Sequence, residues 1–123
     1  MARTVKPTDI LVVDDDPLLR LGMVCMLREM GYSPMSAQDG VRALPLIAQG
    51  TPVDLLITDY NMPGINGVEL AHRMERARPG LQVLIVSGQQ EISGELSPRW
   101  RRLAKPFTTS ELQQALLAVI SPS

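Results

Sequence analysis

Asp14, Asp15 and Asp16 stand together after the apolar run "ILVV", Asp59 follows "LLIT", Ser87 follows "VLIV", and Lys105 closes "RRLA". Each of these polar groups ends an apolar stretch, although they are far apart in the chain. Carboxylates about 5 Å apart repel by roughly 3 kcal/mol per pair at an effective dielectric near 20, so three gathered in one place cost on the order of 10 kcal/mol unless relieved. Either protons or positive charge must sit among them. Lys105 offers one positive charge, and a divalent cation would supply the rest. No histidine or cysteine is nearby, and the few carboxylates leave room for water and anionic oxygens, so Mg²⁺ is expected in preference to Zn²⁺ or Ca²⁺. EF-hand spacing is absent.

Asp16 has a simpler role, because an aspartate followed by Pro17 is a good N-cap and first helical residue. A solvated loop would account for Asp14 and Asp15 alone, but not for Asp59 arriving at a corresponding strand end. A cation, an ammonium group and a hydroxyl around one carboxylate form a centre that can accept a phosphoryl group, since that transfer needs mainly positioning and neutralisation of oxygen charge. Asp59 is then the nucleophile and becomes an aspartyl phosphate.

The elements that must position these groups follow from the pattern of apolar residues. "ILVV", "LLI" and "VLIV" are continuously apolar, as central parallel strands covered on both faces require. Between them, Leu19, Gly22, Met23, Met26, Leu27 and Met30 recur at helical spacing and predict a helix over about 17–30 that ends at Gly31. Asp39 caps a second helix to about residue 49, which Pro45 should bend or shorten. A third, over about 68–78, buries Leu70, Ala71 and Met74. The last opens with Thr108 and Glu111 at capping-box spacing and presents Leu112, Ala115, Leu116 and Val119. "YSPMSA" and "WRRLA", with Pro34 and Arg99, Arg101 and Arg102, suit edge strands. The whole reads as an α/β domain with five parallel strands and helices on both faces. Ligands of such sheets sit beyond the carboxyl ends of the strands, where the polar residues fall.

At 123 residues with 45% hydrophobic content, the chain suits one domain, 1–123, with its core over about 9–119. Twelve basic against 13 acidic residues give a net charge of −1, which provides no general attraction to nucleic acid or an anionic membrane. The lone Cys25 has no disulfide partner, no secretory leader is evident, and no run reaches membrane-spanning length. A cytoplasmic protein is expected, with Cys25 as packing, His72 solvated, and the methionines as core filler. "RWRR" is too slight a basis for nucleic-acid binding.

Taken in order, "VVDDD", "ITDYNMPG.NG", "IVSG" and "KPF" closely resemble the receiver domain of two-component response regulators, over about 9–119. The resemblance implies a doubly wound, flavodoxin-like sheet of order 2-1-3-4-5 and a phosphoryl donor that is a sensor histidine kinase or histidine phosphotransfer protein. It implies Asp59 as phosphoacceptor, Asp14 and Asp15 as the acidic pair holding Mg²⁺, and the Asn61 backbone carbonyl as a further ligand. Ser87 would bind a phosphoryl oxygen, Lys105 would pair with it, and the Lys105–Pro106 bond would be cis. Asn61 and Gln89 match positions that tune self-hydrolysis. The domain would act as a switch, not an enzyme on other substrates, beyond its own phosphorylation and dephosphorylation. The shortened segments are similar to those of receivers in hybrid sensor kinases.

Two departures stand out. The family commonly has an aromatic switch residue three before the lysine, where this chain has Arg102; Trp100 is the nearest ring on that side of the strand. The segment 88–100 contains Gly94 and Pro98, so a helix there should be abbreviated or irregular, and dimerisation through it is expected to be weak or absent. Leu18, Leu21 and Cys25 form a second apolar line on the first helix, which suggests that Leu18 and Leu21 dock the phosphodonor. A Mg²⁺-dependent aspartyl phosphatase would need an acid two residues after Asp59, where Asn61 stands. A degenerate receiver serving only for docking is the alternative, against which the complete acidic set argues. The sequence stops at "SPS" after the last helix, so the domain is expected either to act alone by changing its surface or to have been cut from a larger protein.

Overall fold

In the computed structural model, which describes residues 8–88 and 97–120, the apolar runs form the strands β1 (Asp9–Val13), β3 (Leu55–Asp59) and β4 (Gln82–Ser87). The edges are β2 (Ser33–Ala37) and β5 (Arg101–Ala104), and the parallel sheet has the order β2-β1-β3-β4-β5. β1 and β3 are buried along their whole length, which explains why their sequences do not alternate. Pro34 is accommodated on the edge strand opposite Ile10.

Helices α1 (Pro17–Glu29) and α4 (Thr109–Ile120) cover one face of the sheet, and α2 (Gly40–Ala48) and α3 (Gly67–Ala77) the other. On the first face, Ile10, Val12, Leu55, Ile57, Leu84, Val86 and Leu103 meet Met23 and Leu27 of α1 and Leu112, Leu116 and Val119 of α4. On the second, Leu11, Val13, Leu56, Val83 and Ile85 meet Ala43, Ile47, Leu70, Ala71 and Met74. Burying a side chain of this size stabilises the fold by roughly 1.5–3 kcal/mol.

The caps follow the sequence. Asp16 accepts from the Leu18 and Leu19 amides at 3.0 and 3.3 Å, and Asp39 from Arg42 N at 3.0 Å. Thr108 and Glu111 exchange both bonds of the capping box, at 2.8 and 3.0 Å. α2 continues through Pro45 and spans nine residues. α3 begins earlier than its apolar pattern suggests, because Asn66 caps it through Glu69 N at 2.9 Å.

The core face of α1 is narrower than its periodicity predicts. Only Met23 and Leu27 are buried, while Gly22 is exposed and Leu19 is 51% exposed. The N-terminal half of the helix stands off from the loop after β5, so residues expected to touch the sheet line a groove instead. Cys25 is exposed, not packed. Met23, Met62 and Met74 do serve as core. A helix between β4 and β5, and Gln89 with it, lie outside the described residues.

Candidate functional site

Side-chain alternation along each strand decides what gathers at its tip. Val12, Ile57 and Leu103 face α1 and α4, and Asp14, Asp59 and Lys105 each follow two residues later. Their side chains line one groove at the carboxyl ends of β1, β3 and β5. Further backbone bonds hold these tips in register: Asp14 N–H donates to Ala37 O at 3.3 Å, Tyr60 N–H to Val86 O at 2.8 Å, and Lys105 N–H to Ser87 O at 2.8 Å.

Asp14, Asp15 and Asp59 each offer one carboxylate oxygen within 4.8 Å of the others. Lys105 Nζ lies 3.1 Å from Asp59 Oδ1, pairing with a carboxylate that is only 7% exposed. Burial pushes the Asp14 carboxyl above its ordinary value, and the Asp59 and Asp15 charges add to that shift. The Asp16 amide, which donates to Asp14 Oδ1 at 2.9 Å, and Lys105 oppose it. Repulsion of this kind is relieved by a cation. Three hard oxygen donors with open approach from the groove fit a small divalent ion such as Mg²⁺. Asn61 lies exposed two residues beyond Asp59, and the Lys105–Pro106 bond is cis.

Ser87 ends β4 fully buried, and its Oγ accepts from Arg102 Nε at 2.9 Å. Arg102 Nη2 also donates to Gly88 O at 2.8 Å. Trp100 is buried toward α3, where its indole N–H donates to Glu75 Oε2 at 3.3 Å and its ring lies 4.6 Å from that of His72. His72 is exposed, as expected of a solvated side chain, and one side of its ring rests against Trp100. Arg99 pairs with the same Glu75. Two arginines of "RWRR" are thus engaged within the domain.

Two residues that support the site are not evident from local pattern. Arg20 of α1 donates to the Asp14 carbonyl at 2.7 Å and fixes the acidic loop. Gly67 packs against the backbone of Asp59 and Tyr60 so closely that a β-carbon would overlap the Asp59 carbonyl, and its amide donates to Tyr60 O at 2.8 Å. The "NG" of Asn66–Gly67 holds the available signal: a capping residue followed by the smallest residue.

The groove, of roughly 340 Å³, is lined by Leu18, Leu19 and Met26 of α1 and by Pro106 and Phe107, with Asp59 and Lys105 at one end. Leu18 is 79% and Leu21 60% exposed. Leu18 borders the groove, whereas Leu21 is absent from its lining.

The family model of the response regulator receiver domain matches residues 10–117. Response regulator MprA of Mycobacterium sp. (strain KMS) is 36% identical over 123 residues, covering 94% of this chain. The chain spans about half the length of that relative, 53%. A receiver protein from Sinorhizobium medicae WSM419 superposes with a TM-score of 0.88 over 97% of this chain and 98% of its own, at 22% identity, which speaks to fold. The response regulator TrrA of Thermotoga maritima, solved in complex with Mg²⁺–BeF, superposes at 0.80 with 28% identity over 91% of this chain and 98% of its own. The chain belongs to the response regulator receiver domains of two-component signalling. Domains of this family partner with histidine kinases.

Proposed function

We propose that the domain accepts a phosphoryl group on Asp59 in a Mg²⁺-dependent reaction and changes its surface in response. The donor is the phosphohistidine of a sensor histidine kinase or a histidine phosphotransfer protein. An Asp59 carboxylate oxygen attacks phosphorus, the O–P bond forms as the P–N bond breaks, and the bonding pair returns to the imidazole nitrogen. Asp14 and Asp15, with Asp59 and the Asn61 carbonyl, would hold Mg²⁺. When bound, the ion neutralises charge on the phosphoryl oxygens.

Lys105 pairs with the incoming group from the opposite side, and Ser87 donates its hydroxyl to a phosphoryl oxygen. Water attacking the same phosphorus restores Asp59, so the only substrate of this chemistry is the domain itself. Leu18 and Leu21 meet apolar side chains on the donor's helices. Within this reading the chain from 1 to 123 is one domain working in the cytoplasm, where the exposed thiol of Cys25 stays reduced.

The observation that carries the reading is the meeting of three carboxylates within 4.8 Å with Lys105 Nζ 3.1 Å from Asp59. The Mg²⁺–BeF complex of the similar TrrA supports the choice of ion. Mass spectrometry after incubation with acetyl phosphate and Mg²⁺ tests it. A phosphoryl adduct on Asp59 is expected, lost in Asp59→Asn and when EDTA removes the metal. An adduct that persists on the Asn variant would remove Asp59 from its role.

A further inference from the structure

Ser87 is fully buried, yet its Oγ is reached by an exposed side chain, Arg102, through Nε at 2.9 Å. The same guanidinium holds the next carbonyl, Gly88 O, through Nη2 at 2.8 Å. Together the two bonds form a fork from β5 that grips the end of β4 at adjacent residues. Ser87 follows Ile85 by two, and Arg102 precedes Leu103, so both lie on the α2 and α3 side of the sheet.

A serine hydroxyl has one proton and two lone pairs, and a guanidinium can only donate. Arg102 therefore occupies a lone pair of Ser87 and leaves the proton to be given elsewhere. A cation at this distance also polarises the O–H bond and strengthens it as a donor in a poorly solvated site. Because the bond that Ser87 accepts uses a lone pair and not the proton, the contact with Arg102 leaves the hydroxyl proton to be donated.

We propose that Arg102 is a positioning residue for phosphoryl binding: by holding Ser87 Oγ as an acceptor and pinning Gly88, it directs the hydroxyl proton to a phosphoryl oxygen on Asp59. The inference rests on the reading of Asp59 as phosphoacceptor. It assigns to a charged fork on β5 a task for which a phenyl ring at the same position has no hydrogen-bonding group.

Two measurements test it. In the metal-free protein, NMR of the Arg102 Nε–H should show slow exchange with water that becomes fast in Ser87→Ala; exchange indifferent to that substitution overturns the proposal. Calorimetric titration with beryllofluoride in saturating Mg²⁺ reads the second link. Arg102→Ala should weaken beryllofluoride binding about tenfold, equivalent to about 1.4 kcal/mol, without weakening the affinity for Mg²⁺ alone. Arg102→Lys, which retains the charge and stem at an exposed position, should show a similar loss because an ammonium group does not reproduce the planar fork. In a Ser87→Ala background, Arg102→Ala should cost less than about twofold further. Unchanged or tighter binding in both Arg102 variants, or a full loss in the Ser87→Ala background, overturns the inference and leaves Asp59 as acceptor. Failure of the unaltered domain to bind beryllofluoride at Asp59 overturns the underlying reading and the inference together.

Discussion

Asp14 bears the clearest imprint of the site's electrostatics. Burial first, and then the Asp59 and Asp15 charges, raise its carboxyl pKa in the folded protein against the opposing Asp16 amide and Lys105. A folded-state value above the unfolded one means that the folded chain holds its proton more tightly. The resulting stability is fully present below the unfolded value and is lost as pH rises through the folded one. In EDTA, Asp14→Asn should therefore raise the melting temperature more at pH 7 than at about pH 4, near the ordinary carboxylate value. An equal gain at both pH values would contradict the electrostatic origin. Adding Mg²⁺ should reverse the order, because a cation that binds only the folded state stabilises the protein that binds it more tightly, and the Asn variant lacks one charged ligand. At Arg102 the deciding feature is likewise a single bond: its Nε reaches Ser87, fifteen positions away in the chain.

The junction of β3 and α3 shows how one element is placed by another. β3 delivers Asp59 from a fully buried strand, and α3 begins against its last peptide because Gly67 has no side chain to hold the two apart. Asn66 caps the helix at that point, so its first turn and the Asp59 backbone are fixed together. Gly67→Ala should cost about 1–3 kcal/mol, the range expected of overpacking, as measured by urea denaturation. It should also slow labelling by acetyl phosphate, since the peptide that must move is that of Asp59. A variant with native stability would show that the contact relaxes freely. α1 presents the opposite case: only Met23 and Leu27 are buried, Met26 and Met30 are partly covered, and the helix leaves Leu18, Leu19 and Leu21 exposed.

Across the whole molecule, one end of the sheet holds the acidic cluster, the Lys105 ammonium and the mouth of an apolar groove. On the proposed function, a donor presenting its phosphohistidine to Asp59 would meet the α1 residues that line the same groove. Replacing Leu18 and Leu21 together by lysine should reduce transfer from the partner kinase by more than about tenfold, as loss of an apolar anchor does, while leaving labelling by acetyl phosphate intact. Loss of both activities would reject the docking role. On the same proposal, carrying a signal from 1:99 to 99:1 would require the phosphoryl group to favour the active state by about 5.5 kcal/mol, within reach of a dianion placed beside a lysine and a cation. The sheet order and the six groups at the strand ends were legible in the sequence because a continuous apolar run marks a covered strand and its first polar residue marks the tip. The α1 stripe is longer in the sequence than the face the sheet covers, since periodicity shows which residues share a helix face but not how far that face is covered. Pairing of Arg102 with Ser87, and of Trp100 with Glu75 and His72, joins residues that no local pattern relates. The chain by itself determined which residues end each strand and, through alternation, on which side Asp14, Asp59 and Lys105 emerge, because both are properties of a single strand. Only the tertiary structure decided that the carboxylate oxygens come within 4.8 Å and that an arginine holds the serine. Separations between strands depend on register and packing set by contacts between distant parts of the chain.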